Sequence, residues 1–158
     1  MPKPEALAVF LTWRTYGTWL PGDERGWVDE RRHGFGENMH RADYRLAQAA
    51  QGLMRAAPME LSSGQRELID QVIREACAFR DWPVIALNVR TNHVHLVVAS
   101  TTEPRKMLNL LKTRVSTLVR HAGIIPADRP LWSRGGSTRM LFSEESLAQA
   151  VDYVLNRQ

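Results

Sequence analysis

Two short β-type runs separated by three residues constrain this chain most. Val84-Ile85-Ala86-Leu87-Asn88-Val89 and His93-Val94-His95-Leu96-Val97-Val98 are rich in β-branched side chains, and Arg90-Thr91-Asn92 between them is short enough to make a hairpin. The second run is therefore expected to be a strand antiparallel to the first. Side chains alternate along a strand, so His93 and His95 share one face while Val94, Leu96 and Val98 take the other. Two imidazoles on one face can serve one metal ion. A polar solvent face can also carry two histidines by chance, and the rest of the chain has to decide.

Around this hairpin the chain alternates strand and helix signals. Leu7-Ala8-Val9-Phe10-Leu11-Thr12-Trp13 reads as a buried strand, which Pro21-Gly22-Asp23 follows with a break. A long loop then carries Arg25, Trp27, Arg31, Arg32, His33 and Phe35 between Gly26, Gly34 and Gly36. Arginines interleaved with aromatics suit phosphate contact and base stacking, although Trp27 and Phe35 could equally pin the loop to the body. Alanine and leucine spacing predicts a helix from Arg41 to Ala57, ended by Pro58. Ser62 and Gln65 have capping-box spacing for a second helix running towards Phe79.

After the hairpin, Glu103-Pro104 starts a helix whose stripe is Met107, Leu108, Leu111, Val115, Leu118 and Val119, with Arg105, Lys112, Ser116 and Arg120 opposite. Gly123 and Pro126 end it, and a turn-rich segment with Trp132 and Gly135-Gly136 leads to a last strand at Thr138–Phe142. Ser143 is a natural N-cap, with Glu144 and Glu145 in the first turn of the final helix. Leu147, Ala148, Val151, Val154 and Leu155 are its expected core stripe. Stepping 100° per residue from Leu147 puts Tyr153 at roughly 240°, off that stripe and beside Gln149 and Arg157. A tyrosine on a helix rim is by itself ordinary amphipathic packing. The element order gives a two-layer α+β domain: an antiparallel sheet with helices packed mainly on one face.

With 158 residues, one domain is expected, and the lone Cys77 allows neither an internal disulfide nor a cysteine-rich zinc site. The absence of a signal-peptide pattern and of an apolar run near about 18 residues argues against a membrane role and for a cytoplasmic protein. The net charge of +4 is unevenly spread. Residues 104–142 carry Arg105, Lys106, Lys112, Arg114, Arg120, Arg129, Arg134 and Arg139 against Asp128 alone. Such an excess favours a polyanion, above all nucleic acid, with a solvated basic face as the plain alternative.

Taken together, Phe10-Leu11-Thr12-Trp13, Asn92-His93-Val94-His95-Leu96-Val97-Val98, Leu131-Trp132 and Asp152-Tyr153-Val154 resemble the single-tyrosine HUH transposases. The branch they resemble most is the REP-associated tyrosine transposases, relatives of the insertion-sequence 200/605 enzymes. The resemblance spans most of residues 6–158 as a single HUH domain, with a loop and helix insertion at about 21–58. It implies a ferredoxin-like HUH nuclease core that cleaves and rejoins single-stranded or hairpin DNA, as a monomer or a homodimer. By the same resemblance His93 and His95 are the ligands of a divalent ion, Mg²⁺ or Mn²⁺, and Tyr153 is the nucleophile. The family's third ligand is an amide one helical turn after the tyrosine. Here that position is Arg157, flanked by Asn156 and Gln158, so either of those amides is the expected donor. The proline that usually follows is absent, and the chain stops at Gln158, which leaves open a shortened C-terminus. Arg25, Arg31, Arg32, Arg105, Lys112, Arg120, Arg134 and Arg139 are the expected nucleic-acid contacts.

The chemistry is coherent without the family. A tyrosine with an unperturbed pKa of about 10 is a poor nucleophile at neutral pH, and a divalent ion polarising the scissile phosphate offsets that weakness. Two rivals belong to other classes. One is a non-catalytic, domesticated HUH domain that binds structured single-stranded DNA or RNA. The other is a nucleotide hydrolase of the histidine-triad type, which needs a third alternating histidine where this chain has Val97.

Overall fold

The computed structural model describes residues 2–18 and 40–156. Its sheet has four antiparallel strands: β1 (Ala8–Arg14), β2 (Val84–Val89), β3 (His93–Val98) and β4 (Ser137–Leu141), in the spatial order β2-β3-β1-β4. The expected hairpin forms, with Val89 opposite Val94 and the Arg90 amide donating to the His93 carbonyl at 2.8 Å. β3 then pairs along its whole length with β1, placing Thr12 opposite His95 and Arg14 opposite His93.

Among the described residues four helices accompany the sheet: α1 (Tyr44–Gly52), α2 (Ser63–Phe79), α3 (Pro104–His121) and α4 (Glu144–Asn156). Their starts follow local chemistry. Ser62 and Gln65 form a reciprocal capping box on α2. The Glu103 carboxylate accepts from the amides of Arg105 and Lys106 ahead of α3, and Pro104 sits in that first turn, where its missing N–H costs nothing. Ser143 Oγ accepts from the Ser146 amide at α4. The helix expected over Arg41–Ala57 is shorter than its alanine pattern suggests. Asp43 caps it by accepting from Leu46, Gly52 ends it, and none of its side chains is buried, so no packing extends it further.

The two sheet faces bury different cores. Val9, Leu11 and Trp13 of β1 and Val94, Leu96 and Val98 of β3 join α2 and α3 in the larger one. Ala8, Ala86, Val97 and Leu141 meet Ala150 and Val154 of α4 in a smaller one. The expectation of helices mainly on one face thus holds for α2 and α3, while among the described residues α4 covers the opposite face. Cys77 is buried in α2, and burial pushes its thiol up to about 11, so it stays protonated and inert.

Candidate active site

The face under α4 is built as rows running across the strands, because residues opposite one another in an antiparallel pair point the same way. One row is Asn88, His95, Thr12 and Ser137; the next towards the hairpin turn contains His93 and Arg14. On the other side of the His95 row lie Ala86, Val97, Phe10 and Arg139. A polar strip therefore crosses this face, with Ala86, Val97 and Phe10 as apolar neighbours and Arg139 at the β4 edge.

Both imidazoles are oriented through Nδ1. His93 Nδ1 lies 2.6 Å from Asn92 Oδ1, an acceptor, so the ring donates there and Nε2 is the nitrogen left for a ligand. His95 Nδ1 lies 2.8 Å from Thr12 Oγ1, and the tautomer that donates to this hydroxyl likewise leaves its lone pair on Nε2. The ring centroids are 4.6 Å apart. His95 is 7% exposed, and its pKa is lowered from 6.5 to about 3, first by burial and then by His93, Arg14 and Arg90. It is neutral at physiological pH, the state a metal ligand needs. Two imidazoles side by side, each with Nδ1 engaged by a neighbour, suit a divalent cation at Nε2, and the hydrogen bonds to Thr12 and Asn92 are the kind that aim such ligands. Among the described residues no three His, Cys, Asp or Glu side chains gather into a metal cluster.

Tyr153 stands against this pair. Its ring makes edge contacts with His95 at 5.4 Å and Phe10 at 6.2 Å, yet it is 44% exposed. The position depends on which face of α4 is buried. Ala150 and Val154 are buried and Leu147 and Val151 partly so, whereas Ala148 and Leu155 point outwards. The expected stripe is therefore wrong in its centre by about 60° of helix rotation, towards Tyr153. Small Ala150 packs onto Ala8, Ala86 and Val97, where a close approach is possible, and the rotation lays the tyrosine along the sheet. Asn88 Nδ2 donates to the Val154 carbonyl at 2.9 Å, tying the last turn of α4 to the His95 row. Asn156 is exposed and donates to Asp152 Oδ1 at 3.0 Å.

The basic residues of α3 take a different place. Lys112 Nζ donates to the carbonyls of Ser133 and Gly135 at 2.8 and 2.7 Å, Arg105 to that of Gly136 at 3.1 Å, and Arg120 to that of Arg129 at 3.0 Å. In return Trp132 Nε1 donates to the Lys112 carbonyl at 3.1 Å. These cations hold the segment 129–136 against α3, and Ser133 extends the hold to β1 through the carbonyls of Thr15 and Arg14. Arg134 and Arg139 are exposed, Arg139 on the face of Phe10 and Tyr153. Arg25, Arg31, Arg32 and Gln158 lie outside the described residues.

Sequence reasoning missed Thr12, Asn88 and Arg14. Asn88 had a signal, a lone amide in an apolar strand. The other two gain meaning only from the pairing of β1 with β3.

Comparisons with known proteins agree on the fold. A structure of a REP-associated tyrosine transposase bound to a REP hairpin superposes with a TM-score of 0.54 at 11% identity, covering 98% of this chain and 68% of that one. A crystal structure of a Deinococcus radiodurans protein described as a transposase gives 0.47 at 17% identity, covering 100% and 98%, and no argument rests on it. No curated protein matches the chain. Among the described residues no helix is long and apolar enough to cross a membrane. The family model described as "Transposase IS200 like" matches residues 60–156, more than half of the chain and every element from α2 to α4, and the chain therefore belongs to the IS200-like transposases.

Proposed function

We propose that this transposase-like protein cleaves and rejoins single-stranded DNA at hairpins through a covalent bond to Tyr153. The observation that carries the reading is the ring of Tyr153 resting against His95 while its helix buries a different face. That the superposed REP-associated transposase is bound to a REP hairpin supports hairpin DNA as the ligand. Residues 1–158 act as one HUH domain in this reading. The segment 21–58 is an insertion, consistent with α1 burying no side chain.

His93 and His95 would hold a divalent ion, Mg²⁺ or Mn²⁺, with a C-terminal amide, Asn156 or Gln158, as third donor. When bound, the ion supplies Lewis-acid polarisation of a non-bridging phosphate oxygen. Thr12 and Asn92 keep the two imidazoles aimed through Nδ1. Burial keeps His95 unprotonated. Tyr153 Oη attacks the phosphorus, the bond from phosphorus to the 3′-oxygen breaks, and the phenolic proton ends on the released 3′-hydroxyl. The product is a 5′-phosphotyrosine, and attack by another 3′-hydroxyl restores the tyrosine and joins strands. Exposed Arg134 and Arg139, with Arg25, Arg31 and Arg32 of the insertion, contact the DNA backbone, while Arg105, Lys112 and Arg120 act through the segment they hold.

Incubating the protein with labelled hairpin DNA and Mg²⁺ or Mn²⁺ tests this. A denaturant-resistant adduct is expected; it should vanish in Tyr153→Phe and fall at least about a hundredfold in His95→Ala. An adduct that survives Tyr153→Phe refutes the assignment. Reversible binding without any adduct across varied hairpins makes the protein a binding module instead.

A further inference from the structure

The site face has its own cations. Arg14 is opposite His93 on β1, and Arg90, just past the end of β2, donates its amide to the His93 carbonyl from the other side. Alternation puts both side chains on the α4 face. Arg14 is two residues beyond Thr12, whose hydroxyl meets His95, and Arg90 is two beyond Asn88, whose amide meets Val154. The row nearest the hairpin turn is thus Arg90, His93, Arg14. Neighbouring strands lie about 4.8 Å apart, so two long side chains flanking His93 can converge on one tetrahedral anion. Both arginines are half-buried, which strengthens their field, and both act on His95. The cations of α3 cannot substitute for them, because they stand beyond the opposite face of the sheet.

We infer that Arg14 and Arg90 form a two-pronged clamp for a DNA backbone phosphate at the His93 end of the site, on the far side of the histidine pair from Tyr153. Guanidinium forks match the two non-bridging oxygens of a phosphodiester. A strand gripped there runs past the histidines with its next phosphate towards the tyrosine, so the clamp sets which bond Tyr153 meets. The inference rests on the nuclease reading for the identity of the strand.

The test uses the full chain carrying Tyr153→Phe, which separates binding from chemistry, and a hairpin oligonucleotide with a neutral methylphosphonate placed at one position at a time. One phosphate within a few nucleotides of the cut should stand out, its neutralisation weakening binding about tenfold. In the Arg14→Gln/Arg90→Gln double variant that position should lose its penalty, and the slope of log affinity against log salt should fall by about one to two. A merely structural role would weaken every oligonucleotide alike. Should the double variant fail to fold, Arg14→Lys and Arg90→Lys keep the charge without the fork, and the penalty at that one position should shrink in each. A methylphosphonate pattern and salt slope identical to the parent overturn the clamp, even with the Tyr153 adduct intact. An arginine-dependent pattern in a protein that forms no adduct leaves the clamp standing and removes the nuclease reading.

Discussion

Gly136 shows how tightly single residues are held around the site. Its φ is +147°, and an added Cβ would lie 2.7 Å from the Thr12 carbonyl and 2.9 Å from Leu108 Cδ2. Both neighbours are constrained, one as β1 backbone and the other inside the core. Gly136→Ala should therefore destabilise the protein by about 1–3 kcal/mol and also disturb Thr12, the hydrogen-bond partner of His95. Denaturant unfolding checks the first effect, and the His95 ring signals in NMR check the second; unshifted signals would show Thr12 to be insulated. His95 makes a separate prediction about pH. The unfolded chain takes up this proton near pH 6.5, whereas the folded state resists it until about 3. The unfolded state therefore binds more protons between these values. Stability is complete above pH 6.5 and declines as pH falls towards 3, with a loss on the order of 2 kcal/mol by pH 5 before allowance for residual solvent screening. In metal-free protein, unfolding measured from pH 7 to 5 should show this decline, and His95→Gln should flatten it. An equal decline in the variant would assign the effect elsewhere.

Among the elements, α4 is tied to the sheet near its C-terminal end by a hydrogen bond from Asn88. Asn88→Leu removes the hydrogen bond to the Val154 carbonyl, so the last turn of α4 should loosen. We expect the adduct rate to drop about tenfold or more with little change in DNA affinity, and amides 153–156 to exchange faster with solvent. A parallel loss of affinity would mean that Asn88 itself touches DNA. For α3, Lys112→Met should cost about 2–3 kcal/mol, because two charged hydrogen bonds to segment 129–136 are lost, while the salt dependence of DNA binding stays unchanged. A slope reduced by about one would instead make Lys112 a phosphate contact. These cases mark the boundary of what the amino-acid order reveals. Caps at Ser62 and Ser143 are local and were legible, as were the start of α3 at Glu103-Pro104 and the hairpin between Val89 and His93. The rotation of α4 was not, since periodicity cannot distinguish Ala148 from Ala150 when the decision comes from Ala8 and Ala86 on the sheet. The α3 cations read as a phosphate-facing surface because nothing local announces that carbonyls 9 to 31 residues downstream will meet them.

At the scale of the molecule, the two faces of the sheet separate the main core from the candidate site. The α2 and α3 side holds most of the buried apolar residues and needs no ligand. Chelation should accordingly leave the fold intact, whereas millimolar Mn²⁺ should raise the melting temperature by a few degrees through binding to the native state alone. That rise should vanish in a His93→Ala/His95→Ala variant, and its persistence there would put the ion elsewhere. The α+β class and the pairing of β3 with β2 could be read from the chain because they follow from runs and turns. The row containing Arg14 and His93 could not, because it needs residues 79 positions apart to be brought into register. One consequence reaches beyond this chain. Odd-numbered residues of β3 face the tyrosine and even-numbered ones fill the main core, so removing one residue from the turn Arg90–Asn92 would exchange the two sets at a stroke. Length changes in that turn should be tolerated only in steps of two, giving the connection a parity that the long segment between β1 and α2 is free to ignore.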